Sequence, residues 1–213
     1  MTITVTLIIT ILTAVISLMA NSNVDLKRKL LFNAFDIKHG KDWYRWVSHG
    51  FVHADFTHLA INMWVFYMFG QQVEEIFEYE FGFMGKFYYL TLYLAGIIVS
   101  SISAFIKHQD NPGYNSLGAS GAVASVMFAF ILYLPTQSMG LIFLPGIRIP
   151  AFLMGILYLW YEYAMDKRAK GRIAHDAHFW GAIFGIVFMA ILSPATFTNF
   201  FREVSSYIVS FAA

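Results

Sequence analysis

No cysteine occurs in the 213 residues, and only 13% of them are charged. The first absence removes disulfides, thiol nucleophiles and Cys-ligated metals, and leaves the compartment open. The second is more telling, because about a quarter of a soluble domain is normally charged. Charge of one sign is also missing. Fourteen Lys and Arg face thirteen Asp and Glu, for a net charge of +1. No basic stripe exists, which excludes nucleic acid as a partner. What is present instead is apolar: 58% of the residues are hydrophobic. Six runs contain no Asp, Glu, Lys or Arg: Met1–Val24, Phe56–Val73, Phe87–Ile106, Asn111–Ile147, Ile149–Tyr161 and Ala177–Phe201. A membrane-crossing helix needs about 20 mostly apolar residues. The pattern is that of an integral, multi-pass membrane protein, and a soluble fold is excluded.

The expected fold class is an all-α membrane protein, a single domain over 1–213 with six transmembrane helices at about 3–20, 56–72, 87–106, 119–134, 149–165 and 177–193. The first stretch lacks a basic leader, and its apolar run continues to Ala20, so it reads as a retained helix and not a cleaved signal. Pro135, Gly140, Pro145, Gly146 and Pro150 divide the long fourth run into a helix, a turn-rich loop and a new helix. The fourth helix is short, and Glu162 lies near the end of the fifth. A membrane-associated loop is expected over 21–55, where Trp43, Tyr44 and Trp46 suit an interface. The second loop reads as acidic (Glu74, Glu75, Glu78, Glu80), the fifth as basic (Lys167, Arg168, Lys170, Arg172), and 194–213 as a short tail.

Polar side chains inside apolar spans are functional candidates. His58 and Asn62, four apart, share one face of the second helix. Ser120 opens the fourth and His178 the sixth. With six crossings, all four lie toward the same membrane face. Ser120 sits in Gly118-Ala119-Ser120-Gly121. A serine at a loop-to-helix junction lies beside free backbone N–H groups that can hold an oxyanion. The same small residues equally suit close helix packing. His178 precedes Gly181 and Gly185, whose spacing permits close approach to a neighbour. It reads either as a general base or as a structural hydrogen-bonding group. Asp176 is a poor partner for His178, because residues two apart do not face each other on a helix. His49, His53 and His58 invite a metal reading, but His49 and His53 lack the intervening acid of hydrolytic zinc helices. No metal and no cofactor are expected.

Together these residues resemble the rhomboid family of intramembrane serine proteases over roughly 1–195. The resemblance rests on Tyr44-Arg45, His49, His53 and His58-Leu59-Ala60-Ile61-Asn62, then Gly70 with Glu74, then Gly118-Ala119-Ser120-Gly121, then Ala177-His178-Phe179-Trp180-Gly181 with Gly185. It implies a rhomboid-like bundle in which Ser120 is the nucleophile and His178 the general base of a dyad. His58, Asn62 and the Ser120 N–H would form the oxyanion hole. Arg45, Glu74, Gly118, Gly121, Gly181 and Gly185 would give structural support, with Arg45 holding the first loop. The substrate would be a transmembrane segment of another membrane protein, met in the lipid bilayer. The location expected is a bacterial inner membrane. Two departures stand out. Ala124 occupies a position where family members often carry an aromatic ring against the catalytic imidazole, and Tyr44 precedes Arg45 where the family has Trp.

Charge bias opposes the family orientation. With the N-terminus in the cytosol, only Lys86, Arg148 and Arg202 would stay inside, against the positive-inside expectation. Three other readings compete: a transporter-like bundle, a non-catalytic rhomboid-like binder of transmembrane helices, and a histidine-ligated metalloenzyme. The first would need polar residues continuing to both faces. The second typically loses the serine or the histidine, and both are kept here.

Overall fold

The structure is a computed structural model that describes residues 3–141, 144–168 and 175–212. Its helices are α1 (Val5–Ser22), α2 (Val24–Leu30), α3 (Arg45–Ser48), α4 (Phe56–Phe81), α5 (Gly85–Ser100), α6 (Ile102–His108), α7 (Ser120–Tyr133), α8 (Ala151–Arg168), α9 (His175–Leu192) and α10 (Pro194–Ala212). A hairpin of β1 (Ser138–Leu141) and β2 (Leu144–Pro150) separates α7 from α8. Lys170 and Arg172, half of the expected basic loop, lie outside the described residues.

Local chemistry sets the boundaries. Thr4 caps α1 by accepting from the Leu7 N–H at 3.1 Å. Asn23 ends α1 and caps α2 by accepting from the Leu26 N–H at 3.0 Å. Asp55 opens α4 by accepting from the His58 N–H at 2.8 Å. Pro194 begins α10, where its missing N–H costs nothing.

Three expectations need correction. Glu74, Glu75, Glu78 and Glu80 are not in a loop, because α4 runs to Phe81 and ends only at Gly82. Glu74 is the physical reason. Its carboxylate turns inward and accepts from the Val5 N–H (2.6 Å), the Thr6 N–H (2.8 Å) and the Thr6 hydroxyl (2.7 Å), binding the positive end of the α1 dipole. Gly70, one turn earlier, permits the approach, since a Cβ there would run into the Tyr89 hydroxyl and come within 2.9 Å of Thr6. The third apolar stretch is not one helix but breaks at Ser101 into α5 and α6. The tail over 194–213 is not a mere tail, because Pro194–Ala212 is helical and packs on α7 and α9 through Phe197 and Phe200. Apart from Arg202 and Glu203 it carries no charge, and its apolar residues recur at helical spacing.

Among the described residues, three helical stretches are long and apolar enough to cross a membrane: Val5–Ser22, Phe56–His108 and His175–Leu192. Between them lies α7, whose residues from Gly121 to Leu132 are all buried. A helix apolar all round belongs in the middle of a bundle, and α4, α5, α8, α9 and α10 all contact it. The tightest seam is with α9. A Cβ on Gly181 would strike the Gly121 carbonyl, and one on Gly185 would strike the Ser125 carbonyl. A Cβ on Gly121 itself would meet Ser100. The Ser125 hydroxyl lies 3.0 Å from the Gly121 carbonyl and 2.8 Å from that of Gly181, sharing one proton across the seam.

Gly181→Ala is therefore expected to force α9 off α7 at a cost of about 1–3 kcal/mol or more. The check is thermal melting in detergent. Gly140→Ala, whose Cβ would meet nothing, should melt like the wild type; indistinguishable melting of both variants would refute the seam.

Candidate active site

The α7–α9 seam brings two side chains into contact at its open end. Ser120 is the first residue of α7 and His178 lies in the first turn of α9. His178 Nε2 and Ser120 Oγ are 2.7 Å apart. Residues 58 positions apart in the chain thus form the hydrogen bond that a nucleophile and its base require. Both are half-buried. Ser120 also stands where the first N–H groups of α7 have no partner within the helix.

Loop 1 forms the wall beside the serine. Phe32 and Ser116 exchange two backbone bonds (3.0 and 3.1 Å), and the Gly118 N–H donates to the His49 carbonyl at 3.0 Å. Asn33 donates to the Pro112 carbonyl and to Asn115. The loop is itself clipped by Arg45, which is buried. Its guanidinium donates to the carbonyls of Arg28 (2.9 Å) and Leu31 (2.8 Å) and pairs with Asp42 (2.9 Å) and Asp36 (3.2 Å).

His58 and Asn62 lie on the inner side of α4. The His58 ring edge faces Gly118, where φ is +114° and a Cβ would come within 3.1 Å of His58 Cε1. Glycine is needed for both reasons. Asn62 is buried and uses one amide N–H on the His58 carbonyl at 3.0 Å. Its second N–H remains as a donor. Among the described residues, neither side chain bonds Ser120 directly.

His53 has a place that spacing alone did not reveal. Its ring contacts His58 at 5.0 Å between centroids. Its Nε2 accepts from the Ala119 N–H at 3.4 Å, and its Nδ1 meets the Ser17 hydroxyl at 3.4 Å. Burial, aided by the charges of His58 and Lys27, pushes its pKa down to about 3; burial alone does the same for His49. Both imidazoles are therefore neutral. His49 instead bonds Ser101 at 2.9 Å. His49 Nε2, His53 and His58 thus meet separate partners, and among the described residues none of the three belongs to a cluster of potential metal ligands.

One group was missed altogether. Glu162 of α8 is 4% exposed, and its carboxylate joins two histidines. Oε1 lies 3.1 Å from His178 Nδ1, and Oε2 lies 2.7 Å from His175 Nδ1. Its signal was available as a lone acid following an uncharged run. These three residues offer ligand atoms within 4.8 Å of one another. Both short contacts are of hydrogen-bond length, so carboxylate and rings satisfy one another. Asp176 points elsewhere, to Lys107 (3.0 Å), Ser103 (3.2 Å) and the Ala177 N–H (2.9 Å).

Gly118→Ala should displace the His58 ring and strain the turn before Ser120. Labelling of Ser120 by a fluorophosphonate is expected to slow about tenfold or more, as small misplacements at reacting atoms do. Wild-type labelling in a folded variant would show that this turn does not set the serine's surroundings.

Residues 40–195 match the family model described as the rhomboid domain. Similar curated proteins include presenilin-associated rhomboid-like protein A, mitochondrial, of Danio rerio, 28% identical over 66% of this chain and 35% of its own length. RHOMBOID-like protein 12, mitochondrial, of Arabidopsis thaliana is 28% identical over 71% of this chain and 47% of its own. Presenilin-associated rhomboid-like protein, mitochondrial, of Homo sapiens is 30% identical over 64% of this chain and 34% of its own. The chain spans under half the length of these relatives. The match encloses Ser120, His178, His58, Asn62, His53, His49, Arg45 and Glu162, and leaves out Ser17 and the part of loop 1 before residue 40. This chain belongs to the rhomboid family.

Proposed function

We propose that this chain is an intramembrane serine endopeptidase, a hydrolase that cuts a peptide bond in or near a transmembrane segment of another membrane protein. The observation that carries the reading is the 2.7 Å contact between Ser120 and His178 inside a rhomboid domain. In this reading 1–213 is one membrane domain with six crossings, made by α1, α4, α5–α6, α7, α8 and α9, while loop 1 lies partly in the membrane.

The length of α7 supports the placement of the chemistry. Its 14 residues rise about 21 Å at 1.5 Å each, short of a hydrocarbon core of about 30 Å. With its far end at one face, Ser120 lies beneath the other, where a substrate helix can be met. That helix must unwind, because a helical peptide keeps its carbonyls hydrogen-bonded and hidden from a nucleophile.

His178 Nε2 takes the proton as Ser120 Oγ attacks the scissile carbonyl carbon. The carbonyl oxygen becomes an oxyanion, received by the Ser120 N–H, His58 and Asn62. Collapse breaks the C–N bond, and His178 returns its proton to the leaving amine. Water, deprotonated by His178, then attacks the acyl carbon; the ester C–O bond to Ser120 breaks, and His178 returns the proton to Ser120 Oγ. His53 holds the turn at Ala119, Arg45 holds loop 1 against it, and Glu74, Gly118, Gly121, Gly181 and Gly185 set the helix spacing. No residue in this sequence of steps calls for a metal.

The test is cleavage of a single-pass model substrate in liposomes by the purified wild type, Ser120→Ala and His178→Ala, with and without EDTA. The wild type should cut in EDTA, and each substitution should reduce the rate about a thousandfold or more. Cleavage surviving Ser120→Ala would overturn the nucleophile. A wild type that neither cuts nor labels with a fluorophosphonate would favour a non-catalytic binder of transmembrane helices.

A further inference from the structure

The family resemblance leaves His178 without a neighbour, because Ala124 has no ring to lay against it. The structure supplies one from a different helix. We propose that Glu162 is a positioning residue that orients His178 and fixes its tautomer, so that the dyad operates as a Ser120–His178–Glu162 triad. This rests on the serine-protease reading above and deepens it.

A carboxylate can only accept hydrogen bonds, so the 3.1 Å contact to Glu162 Oε1 places a proton on His178 Nδ1. A neutral imidazole has one such proton. Nε2 is then left with its lone pair, 2.7 Å from the Ser120 hydroxyl. Glu162 thereby selects the tautomer in which His178 can take the serine proton, and it stabilises the imidazolium that results. The proton stays on Nδ1 throughout; the carboxylate orients the ring and offsets its charge.

Glu162 is itself held. Its second oxygen accepts from His175 Nδ1 at 2.7 Å, and the His175 ring contacts Tyr161. At 4% exposure it leaves water little access to compete. His175 and His178 lie three apart on α9, so one carboxylate on α8 reaches both rings. Among the described residues, the other charged or titratable groups near His178 are arranged as follows. From α4, His58 is close enough to interact with it electrostatically. On α9, Asp176 is committed to Lys107 of α6. From α8, Tyr158 interacts with Glu162, not with the imidazole. Glu162 is the one acid in contact with His178 among the described residues.

Glu162→Ala removes the acceptor on which the Nδ1–H tautomer of His178 rests. It should lower kcat about tenfold to a thousandfold, with KM little changed. Glu162→Asp, which keeps a carboxylate, should recover part of kcat. The experiment compares wild type, Glu162→Ala and Glu162→Asp of the full chain in liposomes, with melting in detergent as the folding control. In parallel, the His178 tautomer is read by 15N NMR in micelles, a measurement that does not require activity. A shift from Nδ1–H toward Nε2–H in Glu162→Ala, reversed in Glu162→Asp, would support the proposal. An unmoved His178 tautomer, or a kcat loss that Glu162→Asp does not relieve, would overturn it. Ser120-independent cleavage would instead refute the serine-protease reading and leave the NMR result to decide on Glu162.

Discussion

Close backbone approach of α9 to α7 is the constraint on which the site depends. Gly181 and Gly185 leave no room for a side chain against the carbonyls of Gly121 and Ser125. Two helices pressed this tightly cannot slide or rotate without collision, so the first turn of each is held relative to the other. Ser120 and His178 stand on those first turns, and their 2.7 Å contact is a consequence of the seam. In a membrane this is the available means of fixing a helix pair, because lipid tails are as apolar as the side chains and burial alone drives little association.

Around this seam the remaining polar groups act as clips, each at a helix end or on a loop. Glu74 grips the start of α1, Arg45 gathers loop 1, and Glu80 ties α4 to Tyr133 of α7 and to Ser193 just before α10. Glu74 and Arg45, the buried charges among these, each accept or donate several hydrogen bonds, which is the condition under which a charge can be buried at all. Loop 1 is thereby a built wall. Its exchange of backbone bonds with Ser116 and Gly118 holds the turn from which Ser120 emerges.

His53 and Glu162 illustrate what motif spacing conveys and what it omits. His53 lies in a segment with repeated histidines, and their spacing offered a metal reading. Its actual partners are Ser17, 36 positions earlier in the chain, and the Ala119 N–H, 66 positions later. Glu162 lay close to the end of an apolar run and read as a helix boundary. In the structure its helix continues to Arg168, and the carboxylate faces inward to two rings on α9.

Much of the architecture was legible from residue type alone. Uncharged runs marked the helices, prolines and glycines marked the break after α7, and the Ser120 and His178 motifs marked the seam, because hydropathy and backbone permissiveness are local properties. The continuation of α4 through four glutamates was not legible, since it depends on Glu74 finding the start of α1. The helicity of 194–212 depends likewise on a surface made by α7 and α9. The meeting of Ser120, His178 and Glu162 required three helices to be packed, and only tertiary structure could decide which acid faces which ring. A side chain's residue type determines what it can bond; the packing of distant segments determines what is there to be bonded.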